Sequence, residues 1–140
     1  MAVSGLIDAG PMIAILDDND PWHAPCVEAF DGMQLPLMTS VAALTELFYL
    51  VHRSRIDREA AWAFLGSGAV VIGSVTDGDL PDVHSLMSKY ADLHMDFADA
   101  TLVHLARRES IHTILTVDRD FETYRVDGRK KFTILPAQRY

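Results

Sequence analysis

The sequence predicts an α/β protein in three layers, with a central parallel sheet of about five strands between helices on both faces. Two observations predict it. Short runs of β type alternate along the chain with longer runs of helical period, the pattern of strands joined by crossover helices. A length of 140 residues, 49% apolar and 23% charged, fits one compact core and gives no sign of disorder. No repeat, low-complexity tract or Pro/Gly-rich linker interrupts the chain, so residues 1–140 read as one domain.

In chain order, the first strand lies in "AVSGLID", residues 2–8, and a helix follows over residues 11–16. Asp20 with Pro21 is a start signal for a helix over residues 21–30. "LPLMTS", residues 35–40, carries the second strand, and helices follow over residues 41–53 and 58–65, the latter capped by Asp57. "AVVIGSV", residues 69–75, is the third strand, followed by helices over residues 80–90 and 97–108. "HTILTVD", residues 112–118, and "KFTILP", residues 131–136, are the fourth and fifth.

Bulk properties exclude several classes. A net charge of −8, from 20 acids and 12 bases, argues against a protein that grips nucleic acid with a general basic surface. The single cysteine, Cys26, permits no intramolecular disulfide and suits a reducing cytoplasm. The N-terminus lacks the basic start of a signal peptide and its apolar run is cut by Asp8, so neither export nor a membrane span is expected. The fingerprints GxGxxG and GxxxxGK[ST] are absent, which disfavours a nucleotide-binding enzyme.

Ligand sites in open parallel sheets lie beyond the carboxyl ends of the strands, where strand order reverses. Two candidate strands run straight into aspartate there, at Asp8 and Asp118, and the second ends at Ser40, just before a helix bearing Glu46. Asp8, followed by "AGP", and Asp120 are also ordinary turn or cap residues. The helix over residues 41–53 is apolar on nearly every side and is expected to be largely buried. Glu46 would then need an arginine or a metal ion as partner.

The stretch "LHMDFADATLVHLARR", residues 93–108, opens a helix with two acids. Asp96 is placed as its N-cap and Asp99 as its third residue, where negative charge gains about 0.3–1 kcal/mol from the helix dipole. Ala98, Leu102, Leu105 and Ala106 define the buried stripe, with Asp99 at its edge and Asp96 about 60° further toward solvent. Asp99 is therefore the candidate direct ligand and Asp96 an outer or capping group. Four acids meeting at one end of the sheet would repel severely, and hard cations with oxygen ligands, Mg²⁺ or Mn²⁺, are the fitting counter-charge. Zinc fits poorly, since HExxH is absent and the six histidines show no ligand spacing.

With these residues in place, the sequence resembles the PIN-domain family, particularly the VapC-like ribonuclease toxins of toxin–antitoxin pairs. The resemblance runs through "LIDAGPMIAIL", "TSVAALTELFYLV", "MDFADATLVHLA" and "ILTVDRDF". It implies that Asp8, Glu46, Asp99 and Asp118 surround one or two Mg²⁺ or Mn²⁺ ions, with Asp96, Thr116 and Asp120 as accessory groups. It also implies hydrolysis of RNA by water, leaving a 5′-phosphate and a 3′-hydroxyl. A homodimer is implied too, held inactive by a small antitoxin that carries a DNA-binding part. Arg119, Arg125, Arg129, Lys130 and Lys131 lie near the last motif and are the candidate RNA contacts, while Trp22, Phe48, Tyr49 and Trp62 are expected in the core or in dimer contacts.

The chain departs from the family pattern at Gly10, where serine, threonine or asparagine is common, and a polar contact is lost there. Two alternatives stand beside the toxin: a non-catalytic PIN-like module for protein binding, and an RNA-processing nuclease outside any toxin pair. A response-regulator receiver would require a phosphorylatable aspartate after the third strand and a lysine after the fifth. The chain has "GSVTDG" and "LPAQRY" at those places.

Overall fold

The structure is a computed structural model that describes residues 2–137. It contains β1 (Gly5–Ile7), α1 (Ala9–Leu16), α2 (His23–Asp31), β2 (Leu37–Thr39), α3 (Val41–His52), α4 (Arg58–Gly66) and β3 (Val70–Ile72). Then come α5 (Leu80–Lys89), α6 (Phe97–Glu109), β4 (Thr113–Leu115), β5 (Arg125–Asp127), β6 (Lys130–Lys131) and β7 (Thr133–Leu135). The main sheet has the order β3-β2-β1-β4-β7, and each neighbouring pair is parallel. The chain steps outward from β1 through β2 to β3, then returns to the other side of β1 as β4. The switch point thus lies between β1 and β4, and Asp8 and Asp118 follow those two strands.

Side-chain alternation along the strands divides the core in two. Leu6 and Ile114 pack with Leu86, Leu102 and Leu105 under α5 and α6. Ile7 and Leu115, one residue further on, pack with Met12, Leu47 and Ala61 under α1, α3 and α4. The expected three layers follow from this alternation. After β3, a Cβ at Gly73 would stand 2.7 Å from both Leu105 Cδ2 and Met38 Sδ, so a larger residue there would force those side chains to move.

Three expectations need correction. The first concerns α3, expected to be largely buried: only Ala43, Leu47 and Val51 are, while Val41 and Tyr49 are well exposed, because the helix presents one side to the sheet and leaves the other open. Conversely, α6 was expected to bury a stripe, yet every residue from Ala98 to Ala106 is buried. The sheet lies beneath it, and α3, α5 and β5 pack around it. The third concerns Asp20, whose carboxylate accepts from the Trp22 N–H at 2.8 Å and closes a turn; α2 begins only at His23. The β5–β6 hairpin was not foreseen, although Asp127-Gly128 is a hairpin signal and Gly128 has a φ of 57°.

Candidate active site

Helix starts converge where the strands end. Asp8 caps α1: one carboxylate oxygen accepts from the Ala9 N–H at 2.8 Å and the other from the Thr116 hydroxyl at 2.9 Å. The Asp8 N–H donates to the Leu115 carbonyl at 3.0 Å and ties the end of β1 to β4. Thr116 Oγ1 also accepts from the Asp118 N–H at 3.0 Å, and Asp118 in turn caps the short 3-10 turn Arg119–Glu122 through the Asp120 N–H. A hydroxyl at position 116 therefore orients the first acid and positions the backbone of the last.

Asp96 caps α6 as expected, accepting from the Asp99 N–H at 2.8 Å, which leaves the Asp99 side chain one turn inward and only 8% exposed. Ser40 caps α3, and its Oγ lies 2.8 Å from the Thr101 hydroxyl of α6. That contact ties α3 to α6, and Glu46, further along α3, is near enough to Asp96 to feel its charge.

The acids act on one another. Burial, then the charges of Asp96, Asp8, Asp118 and Glu46, push Asp99 up to about 8. Burial and then Asp96 push Glu46 up to about 7, with Asp8 and Asp118 adding to the effect. Burial raises Asp8 to about 6 against the lowering influence of the Ala9 N–H and Thr116. These five carboxyls share one neighbourhood, as the sequence predicts. Among the described residues, Asp8, Glu46, Asp96 and Asp99 form no ion pair with a basic side chain, so Glu46 is not neutralised by arginine. The ion pairs instead join His104, Arg107 and Arg108 to Asp79, Asp82 and Glu109.

An all-oxygen donor set in which Asp8, Glu46 and Asp99 are raised in pKa by burial and by neighbouring acids suits a hard divalent cation. Among the described residues, no three Asp, Glu, His or Cys side chains already stand close enough to hold an ion.

An open groove of about 730 Å³ leads away from Glu46 and Asp96, walled by Val41, Ile72, Leu80 and Phe97. Its lining includes none of the five basic candidates. Arg125 is partly engaged elsewhere: its Nη1 donates to the carbonyls of Glu122, Thr123 and Tyr124 and closes the 3-10 turn. Arg119, Arg129, Lys130 and Lys131 are exposed on that turn and on the β5–β6 hairpin. Tyr49 and Trp62 are 59% and 57% exposed rather than core residues.

Sequence reasoning missed two groups. The Tyr124 hydroxyl donates to Asp99 Oδ2, and burial and the nearby acids push that phenol above its ordinary value. His104, also buried, sits between Asp82, 2.7 Å from Nδ1, and Asp79, 3.0 Å from Nε2. Neither carries a local signal, since the partners come from distant elements.

Gly10 has a packing reason. A Cβ there would lie 2.9 Å from Val117 Cγ2, so Val117 occupies the space a larger residue would use. Gly10→Ser is expected to destabilise by about 1–3 kcal/mol through overpacking, and Val117→Ala in the same chain to recover most of the loss. Urea unfolding of the single and double variants reads both, and strictly additive effects would disprove the steric coupling.

The family model described as PIN domain matches residues 5–127. The chain belongs to the PIN-domain family. This PIN domain is 34% identical over 134 residues to ribonuclease VapC26 of Mycobacterium tuberculosis (strain ATCC 25618 / H37Rv), covering 94% of this chain and 99% of that relative. Its fold matches the crystal structure of M. tuberculosis VapC20, described as a sarcin–ricin loop cleaving toxin, with a TM-score of 0.77 and 24% identity over 86% of this chain and 94% of that one. VapBC2 from Rickettsia felis, solved with a DNA fragment from its promoter, matches with a TM-score of 0.64 and 12% identity over 94% and 98% of the two chains. The two solved structures bear on the fold of this PIN domain alone.

Proposed function

We propose that this PIN domain is a Mg²⁺- or Mn²⁺-dependent endoribonuclease, the toxin of a VapBC-type pair, acting in the cytoplasm as one domain over residues 1–140. The observation that carries the proposal is the gathering of Asp8, Glu46, Asp96, Asp99 and Asp118 in one neighbourhood, with Asp8, Glu46 and Asp99 raised in pKa and, among the described residues, no ion pair from a basic side chain to Asp8, Glu46, Asp96 or Asp99. The VapC26 relative is itself described as a ribonuclease.

Asp8, Glu46, Asp99 and Asp118 would hold one or two ions. A divalent cation bound there supplies a water of lowered pKa and stabilises charge on the leaving oxygen of a phosphodiester. The Ala9 N–H and the Thr116 hydroxyl fix the orientation of the Asp8 carboxylate, and Asp96 holds the first turn of α6 so that Asp99 keeps its place. Asp120 serves through its N–H, which fixes Asp118. No histidine base is needed, and none is among the groups that perturb Asp8, Glu46 or Asp99. Phosphates of single-stranded RNA would be met by Arg119, Arg129, Lys130 and Lys131, exposed on the turn and hairpin that follow the last acid motif, with Arg125 contributing its remaining donors.

Exposed apolar side chains support protein partners. Tyr49 and Trp62, on α3 and α4, form a face for a small antitoxin with a DNA-binding domain, and Val41, Leu80 and Phe97 suit a second copy in a homodimer. Gly10 was the sequence feature favouring a non-catalytic module, and the 2.9 Å approach of Val117 Cγ2 to a Cβ there supplies a packing reason for glycine instead.

The test is cleavage of single-stranded RNA by purified protein. Activity with Mg²⁺ or Mn²⁺, arrest by EDTA and 5′-phosphate ends are expected. Metal-independent cleavage or 2′,3′-cyclic ends would refute the mechanism. A short neighbouring reading frame for a DNA-binding protein separates the toxin role from general RNA processing.

A further inference from the structure

The Asp99 carboxylate has two oxygens, and among the described residues a hydrogen bond reaches one of them, Oδ2. Oδ2 lies 3.3 Å from the Tyr124 hydroxyl, which is long for an O–H···O bond but is the hydrogen bond the structure gives that hydroxyl. Tyr124 is held on every side. Its side chain is fully buried, its ring meets Tyr90 and Phe121 edge to face at 4.9 and 5.0 Å, and Phe121 meets Phe132 at 5.6 Å. Its backbone is fixed as well, the N–H on the Asp120 carbonyl at 3.1 Å and the carbonyl on Arg125 Nη1 at 3.1 Å. The Tyr90 hydroxyl accepts from the Arg125 N–H at 3.1 Å, so the aromatic cluster and the turn after Asp118 form one framework.

From this geometry we infer that Tyr124 is a positioning residue for the metal site: its hydroxyl holds Asp99 Oδ2 and so fixes the orientation of a carboxylate that would ligate the ion. The proposal rests on the metal-site reading above. A phenol locked by packing gives Asp99 one orientation before any ion arrives, and outer partners of this kind set metal affinity by about 10–100-fold. The turn that carries Asp118 also carries Tyr124, so a single element supplies one acid and orients another.

Tyr124→Phe keeps the ring and removes only the hydroxyl. The readout is Mn²⁺ affinity, measured from the free-ion signal by electron paramagnetic resonance at neutral pH, with melting in EDTA recorded beside it. Expected is a 10–100-fold weaker Mn²⁺ affinity with melting in EDTA little changed, and RNA cleavage that recovers toward the parent rate as Mn²⁺ is raised. Val83→Ala removes packing from the same core cluster and leaves the hydroxyl and its aromatic pairs in place; it should lower the melting temperature and leave Mn²⁺ affinity within about threefold of the parent. Affinity unchanged in Tyr124→Phe, or lost equally in both variants, overturns the positioning role. Failure of the parent protein to bind Mn²⁺ at all would instead overturn the metal-site reading on which it stands.

Discussion

Asp99→Asn is expected to lower RNA cleavage by more than about 10²-fold, a larger loss than outer partners of a metal ligand produce, while raising the melting temperature in EDTA. The two effects have one cause. Asp99 is 8% exposed, and burial together with four neighbouring acids pushes it to about 8, so at that pH the folded protein carries a charge it accommodates poorly. The amide keeps the shape and removes the charge. Each kcal/mol of repulsion relieved should appear as roughly 3–6 °C of added stability. Cleavage assays at saturating Mn²⁺ and melts in EDTA read the two sides separately. Full activity in a preparation freed of contaminating nuclease would remove Asp99 from the site, and a lower melting temperature in EDTA would show that its charge is tolerated after all.

Stability should depend on pH in opposite senses with and without metal. Asp8, Glu46 and Asp99 have folded pKa values of about 6, 7 and 8, above their ordinary values of 3.8, 4.5 and 3.8. Folding therefore favours their protonated forms. That contribution is fully present below about pH 4 and is lost as pH rises through 6 to 8. In EDTA the melting temperature should fall between pH 5 and pH 8.5, and less steeply in Asp99→Asn. A cation competes with those same protons, so its stabilisation grows over the same interval. At about 100 times its dissociation constant it contributes about 2.7 kcal/mol, a rise of roughly 10 °C. Parallel pH curves in EDTA and in Mn²⁺ would show that ion and protons do not share a site.

How much of this was legible in the sequence can be followed residue by residue. Asp8 and Asp118 were legible because each follows an apolar run, and parallel sheets bind ligands where strands end. Asp96 and Asp99 were legible from cap chemistry and the 100° step, which correctly made one exposed and the other buried. The position of Glu46 was legible, but its surroundings were not. An apolar helix at the side of a sheet buries one face only, and periodicity is silent when every face is apolar, so Tyr49 and Val41 emerge on the surface. Tyr124 was not legible because its hydrogen bond joins residues 25 apart, and no repeat in the chain encodes it. The pairing of His104 with Asp79 and Asp82 likewise depends on how α5 packs against α6. Arg125, read as an RNA contact from its charge, directs Nη1 at carbonyls of its own turn, a role that only coordinates disclose.

Calorimetric titration of Mn²⁺ into the parent protein at pH 7.5, in two buffers of different ionisation enthalpy, addresses the acid cluster most directly. Expected is saturable binding whose heat differs between the buffers because protons leave Glu46 and Asp99 as the ion enters, with both the binding and the buffer difference much reduced in Asp99→Asn. Absence of binding, or binding that is proton-neutral and the same in Asp99→Asn, would contradict it.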